Sequence, residues 1–318
     1  EYDIVREKIP IFSVPYAFMI RPGVGYVRMI RFSATTTEEL ASALEKLKAE
    51  GMKQLVLDLR LNAGGFLNEA IQVADLFLPA GKKIVYTRGR LPDSNEDYYS
   101  TGEGRGDFTG FPLIVMVDHG SASASEIVSG AVQDWDRGLV VGETTFGKGL
   151  VQRQYPLKNG GALLLTVARY YTPAGRLIQR DYSDRDKYLM EDAEEIEAEA
   201  EADTTKDRPV FHTSAGRIVY GGGGITPDIR IDKPYPYPRL QMDLDRNRAY
   251  FEFASRYVSQ HGMKFSRFDE FDAAVRIDDD VVSDFRSFLD EKKIAYDADS
   301  LGSQGDFVRR SIKAELAR

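Results

Sequence analysis

Residues 113–127 read LIVMVDHGSASASEI, and this stretch decides the fold. Leu113 to Val117 form a short unbroken apolar run of the kind seen in strands buried on both faces. The run breaks at Asp118-His119-Gly120, and a helix is expected from about Ala122 to Trp135. A buried strand feeding straight into a helix is the repeat unit of a layered α/β core, whose sites gather at the carboxyl ends of strands. Outward from this stretch the alternation continues. Upstream lie an apolar run from Gln54 to Leu59, a Gly64-Gly65 turn and a helix carrying Ala70, Ile71, Ala74, Leu76 and Phe77. Before them, Thr35 to Thr37 with Glu38 give helix-start chemistry for a helix on Leu40, Leu44 and Leu47 that ends at Gly51. Gly25 to Phe32 reads as a strand with Tyr26, Arg28, Ile30 and Phe32 on one side, and Ile4-Val5 and Ile9 to Ile11 also alternate. Downstream strands are expected at Leu139–Val141, Leu150–Tyr155 and Ala162–Val167.

Ser123 sits where the buried strand hands over to its helix. A hydroxyl there stands at the sheet's carboxyl end, beside backbone N–H groups without helical partners and near the positive end of the helix dipole. That setting suits an oxyanion, and Ala122 and Ala124 leave room for a carbonyl to approach. The same residues also have a purely structural reading. Ser123-x-x-Glu126 before an apolar run is a capping box, which requires no chemistry.

Residues 142–149, GETTFGKG, match the phosphate-loop pattern until the last position, where Gly149 replaces the hydroxyl residue. The alternating segment that follows is a strand, whereas a phosphate loop must open a helix, so the pattern does not carry nucleotide binding. What remains is Lys148 between two glycines, in the apolar company of Phe146, Leu150 and Val151. Bringing a lysine from ~10.4 to near 7 takes roughly 4–5 kcal/mol of bias against the ammonium, and the neutral amine can then act as general base for a serine. On an extended strand Lys148, Leu150 and Gln152 share one side, so the Gln152 amide can orient the amine. The competing reading is a surface lysine in a glycine turn. Residues 58–65, DLRLNAGG, run from a strand end into a glycine turn whose bare N–H groups could supply a second oxyanion donor, although a turn needs no function. Histidine is the other candidate base: His119 precedes Ser123 by four residues, but a strand-end residue and one across a tight turn need not face each other.

Composition narrows the classes. Of the 318 residues, 42% are hydrophobic and 11% aromatic, enough for a sizeable core. There is no cysteine, and no two of the three histidines have metal-ligand spacing, so neither a disulfide framework nor a zinc site is indicated. The net charge of -8 belongs wholly to residues 181–206, an acidic insertion; the remainder is neutral, with no basic stripe for nucleic acid. No window approaches the ~18 uncharged apolar residues that a membrane span needs. The Gly221–Gly224 and Pro234–Pro238 clusters mark a boundary, giving an expected domain over 1–237 and a small helical one over 238–318.

Taken together, Asp58–Gly65, Gly120–Ile127 and Thr145–Gln152 occur in the order and spacing of the carboxyl-terminal processing (tail-specific) peptidases, family S41, which the chain resembles over roughly residues 1–232. Tyr220–Asp228 also resembles that family. The resemblance implies a ClpP/crotonase-like α/β core and a serine endopeptidase with a Ser/Lys dyad, working without a cofactor on extended polypeptides through an acyl-enzyme. By position, Ser123 is then the nucleophile, Lys148 its general base and Gln152 the group that positions the lysine. The N–H of Ala124, with that of Gly64 or Gly65, would form the oxyanion hole. Leu61 and Ala63 stand where the family often has Asn and Pro. No PDZ-like segment is found, and Arg6 to Pro10 resembles the stretch that follows that domain, so the chain is expected to be a fragment. Family habit points to an extracytoplasmic compartment such as the periplasm. Two other readings use the same fold. A non-catalytic binding or scaffold protein would be expected to lose the serine, the lysine or the turn glycines, all of which are kept here. Acyl-CoA chemistry would need a nucleotide pocket, for which no feature is seen.

Overall fold

The buried run at 113–117 becomes a strand near the centre of a six-stranded sheet in a computed structural model that describes residues 11–102, 108–180, 208–231, 239–265 and 267–317. The acidic segment 181–206 and the opening residues 4–10 lie outside the described residues. In chain order the first elements are β1 (Tyr16–Arg21), β2 (Val24–Arg28), α1 (Thr36–Ala49), β3 (Gln54–Asp58) and α2 (Leu67–Asp75). Next come β4 (Lys83–Gly89), β5 (Glu96–Tyr99), β6 (Leu113–Val117), α3 (Ala124–Asp134) and β7 (Leu139–Gly142). Then follow β8 (Leu150–Pro156), β9 (Ala162–Tyr171), β10 (Val210–His212), β11 (Ile218–Tyr220) and β12 (Ile229–Arg230).

The large sheet has the order β1-β2-β3-β6-β7-β12 and is parallel except for the β1–β2 pair. Register places Val27 beside Leu57, Leu57 beside Val115 and Val115 beside Val140. This lateral row is fully buried in one core with Leu44 of α1, Val73 of α2 and Val128 of α3. Each such side chain contributes roughly 1.5–3 kcal/mol by leaving water, which is why the parallel strands read as apolar runs. Because β3 and β6 are neighbours pointing the same way, the loops after them emerge side by side. These are the Asp58–Gly65 and Asp118–Ser123 segments.

A second, antiparallel sheet has the order β5-β4-β9-β8, so among the described residues β8 is an edge strand, and it begins just after Lys148. The layered α/β core expected from the sequence is what the chain forms. Two details differ. The strand expected over 25–32 stops at Arg28, after which Ile30 N–H turns to the Ser13 carbonyl (2.9 Å) and Phe32 N–H to that of Gly64 (3.0 Å). Val27, Met29 and Phe32 are therefore the buried residues, which strict alternation does not produce. Strands β1, β4, β5 and β10 to β12 are not among those the sequence pattern marks; β1 is an edge strand whose outward residues, Tyr16, Phe18 and Ile20, are themselves large and apolar.

Contacts divide the chain into two compact units, Glu1–Asp232 and Lys233–Arg318. The second unit is helical: α4 (Arg239–Arg246), α5 (Ala249–His261), α6 (Phe268–Ala274), α7 (Asp279–Lys292), α8 (Ala298–Ser303) and α9 (Gly305–Leu316). Asp278 caps α7 by accepting the Val281 N–H, and Asp297 caps α8 through Ser300 N–H. Leu244, Phe253, Phe285, Leu289, Val308 and Ile312 form its interior.

Candidate active site

Ser123 opens α3 in a capping box with Glu126, as the spacing predicts. Its backbone is unusual: φ is 55° and ψ is -110°, a conformation that L residues avoid at a cost of roughly 1–3 kcal/mol. The neighbouring Gly64 turn comes very close. A Cβ built on Gly64 would lie 2.9 Å from the Ser123 Cβ and 2.8 Å from the Ala124 nitrogen, so only glycine fits there. Ser123, Ala124 and Gly64 are thus brought together.

The two loops are joined by a lattice of buried polar groups. Asn62 is fully buried; its side-chain oxygen accepts the Gly64 N–H (2.9 Å), and its carbonyl accepts Ala122 N–H (3.0 Å) and the Ser125 hydroxyl (2.8 Å). Asp118 accepts the Leu61 and Gly120 N–H groups (2.8 and 2.9 Å), and Ser121 donates its hydroxyl to the Leu59 carbonyl (2.8 Å). At the root of the first loop, Asp58 accepts from Arg60 Nη2 (2.7 Å), Arg60 N–H (3.0 Å) and the Tyr26 hydroxyl (2.6 Å). Burial alone would raise the Asp58 carboxyl, but these charged and hydroxyl donors outweigh it and hold the group below the usual carboxylate range.

Gly64 and Gly65 can now be told apart. The Gly64 N–H is engaged by Asn62, whereas Gly65 forms a parallel bridge with Phe32 that uses the flanking Gly64 carbonyl and Phe66 N–H. The Gly65 N–H makes no hydrogen bond among the described residues.

Lys148 lies in the loop between β7 and β8 and is half-buried, as are Phe146, Leu150 and Val151. Its backbone is tied to that of Ser123 through Glu126. One carboxylate oxygen of Glu126 accepts both the Ser123 N–H (2.7 Å) and the Lys148 N–H (2.9 Å). The other oxygen accepts the Gly147 N–H (2.7 Å) and the Thr145 hydroxyl (2.6 Å). Burial pushes the Glu126 carboxyl upward, while these four donors pull against it. Tyr170, on β9, closes the other side: its hydroxyl reaches the Ser123 carbonyl (3.1 Å) and, more tightly, the Lys148 carbonyl. The sequence flagged Glu126 only as a cap, and Tyr170 not at all.

The Lys148 amine and the Ser123 hydroxyl are not hydrogen-bonded to each other among the described residues, nor is either bonded to Gln152. Gln152 is exposed on β8, and the β8–β9 register slips between Val151 and Gln152, so the single-strand alignment of Lys148 with Gln152 is interrupted. His119 packs its ring against Phe146, with centroids 5.9 Å apart. The Tyr220–Asp228 segment supports the lysine loop from beneath. Thr145 N–H donates to the Ile225 carbonyl (3.1 Å), Ile225 N–H to the Thr145 hydroxyl (2.7 Å), and Asp228 accepts the Val140 N–H (2.8 Å). Among the described residues no cluster has metal-ligand composition, and no helix is long and apolar enough to cross a membrane.

A sequence model of peptidase family S41 matches residues 23–188, and one for a family of unknown function, DUF8443, matches residues 242–318. The carboxy-terminal-processing protease of Bartonella bacilliformis is 45% identical over 184 residues, covering 56% of this chain and 41% of that protein. The carboxyl-terminal-processing protease of Synechocystis sp. is 46% identical over 178 residues, covering 54% and 40%. The chain therefore spans about two-fifths of the length of these relatives. Among solved structures, a Bacteroides fragilis protein assigned to the S41 proteases shares the fold at a TM-score of 0.52 and 16% identity, over 76% of this chain and 58% of that one.

Proposed function

The chain belongs to peptidase family S41, and on that premise we propose that its first unit is the catalytic part of a serine endopeptidase that cuts extended polypeptides near their C-termini. The observation that carries this reading is the convergence of three loops on Ser123: the Gly64 turn pressed against it, the α3 N-terminus beneath it and the Lys148 loop tied to its backbone. In the reaction the Ser123 hydroxyl oxygen bonds to the scissile carbonyl carbon while its proton passes to the Lys148 amine. The carbonyl oxygen becomes an oxyanion and takes hydrogen bonds from the Ala124 N–H and the Gly65 N–H, since that of Gly64 is spent on Asn62. Lys148 then protonates the leaving amine as the C–N bond breaks, leaving an acyl-enzyme. Water attacks this ester, gives its proton to Lys148, and the lysine returns one to Ser123. The hydroxyl and amine close to bonding distance when substrate is present, since catalytic contacts are commonly loose in the free enzyme. Gln152 steadies the amine in that closed state.

The substrate adds as a strand along the β8 edge, where main-chain pairing supplies affinity with little side-chain selection. The catalytic domain runs to about residue 237, the helical domain fills 238–318, and the enzyme works outside the cytoplasm, as in a periplasm. A fluorophosphonate probe is expected to label Ser123, and Lys148→Ala to abolish casein turnover while leaving the melting temperature within about 2 °C, since the amine makes no hydrogen bond among the described residues. Full turnover by Lys148→Ala would overturn the dyad, and a chain in which Ser123 takes no label would leave a binding protein on a peptidase fold.

A further inference from the structure

We propose that Glu126 and Tyr170 are positioning residues that together clamp the backbones of Ser123 and Lys148 and so set the distance over which the proton is transferred. This inference rests on the Ser/Lys reading. Of the donors on Glu126, only the Ser123 N–H belongs to the capping box. The other three come from Thr145, Gly147 and Lys148, on a loop about twenty residues away in sequence. The carboxylate therefore spans the gap between the two chemical loops. Its oxygen that holds Ser123 N–H is the same one that holds Lys148 N–H, so both amides are anchored to a single acceptor atom.

Tyr170 does for the carbonyls what Glu126 does for the amides. Its side chain is 2% exposed, and its hydroxyl lies within reach of the carbonyl oxygens of both residues. A phenol has one proton, so it donates to one of these carbonyls at a time and the bond can exchange between them. The N–H and the C=O of each catalytic residue are thus tied to a bridging group shared with the other residue. Glu126 and Tyr170 are themselves buried, so a partner lost from either bridge is costly to replace. Ser123 holds its positive-φ backbone inside this frame.

The test compares the wild-type chain with Tyr170→Phe, which keeps the ring and removes only the hydroxyl, and with Glu126→Gln. Steady-state cleavage of an unstructured peptide, the rate of fluorophosphonate labelling at Ser123 and thermal melting are measured for each. The clamp predicts that Tyr170→Phe lowers kcat about tenfold or more with KM within about twofold, slows labelling in proportion and still melts cooperatively. Glu126→Gln should show a larger kcat loss; should it fail to melt cooperatively, Tyr170→Phe alone decides. A wild-type kcat and labelling rate in Tyr170→Phe would overturn the clamp while an inactive Lys148→Ala left the dyad standing. A wild-type chain that neither labels nor cleaves would remove the dyad reading, and the clamp with it.

Discussion

The loops around Ser123 and the interior of the helical unit are both buried, yet they are built from opposite materials. The helical unit encloses Leu244, Phe253, Phe285, Leu289 and Ile312, and its ion pairs, such as Arg256–Glu291 and Lys292–Glu252, lie on its exposed surface. The loops enclose Asp58, Asn62, Asp118, Ser121, Ser125, Glu126 and Thr145, each hydrogen-bonded within the lattice. Apolar packing is non-directional, so it fixes compactness and tolerates swaps that conserve volume. A polar lattice is directional, so it fixes where each N–H and C=O points, and removing one member leaves its partners unsatisfied. The unit made of aromatics is held by volume, and the loops by direction.

The largest effect that could break this contrast is Phe285→Ala. Phe285 stacks on Tyr250 at 5.2 Å and meets Phe253 edge-on at 5.1 Å, and its loss is expected to cost roughly 3–5 kcal/mol in chemical denaturation followed by helical circular dichroism. A cost below about 1 kcal/mol would mean that the helical unit is not held by its aromatic interior.

Asp58→Asn probes the lattice. It removes a carboxylate shared by Arg60 and Tyr26, and about 2 kcal/mol is expected, less than for a fully buried pair because Arg60 is partly exposed. The pH dependence has a definite sign. Since the folded-state value of Asp58 is depressed, its stabilisation is complete above the ordinary ~3.9 and is lost as the pH falls through the lower folded value. The stability gap between wild type and Asp58→Asn should therefore narrow on acidification. A gap that widened instead would show that the carboxylate charge is not what the loop depends on.

The smallest effect sharpens the contrast. Leu61 has a φ of 59° and is 69% exposed, so its side chain contributes little burial while its backbone carries strain. Asparagine tolerates this left-handed conformation, and Leu61→Asn is expected to stabilise the chain by roughly 0.5–1 kcal/mol, read as a raised melting temperature.

Much of the fold was legible because its signals are local. The run at 113–117, the Leu40–Leu44–Leu47 stripe and the glycine turn at 64–65 each declare an element within a few residues. Strand β4 was less legible, since it pairs with β5 and β9 and neither partner is visible from its own short segment. At the candidate site, the motifs single out Ser123, Lys148 and two glycines, but they do not say that the Gly64 N–H is taken. That depended on Asn62 folding its side chain back onto Gly64.

By itself the sequence determined the central strand-and-helix alternation, the placement of a hydroxyl at a strand-to-helix turn and of a lysine between glycines, and the family to which those motifs belong. Only the tertiary structure decided that Glu126 is more than a helix cap and that Tyr170 reaches the same two residues from the opposite side. Periodicity and spacing report on neighbours within one turn or one strand. Hydrogen bonds spanning 22 residues from Glu126 to Lys148 and 47 from Ser123 to Tyr170 exist only once the sheets have brought those loops together.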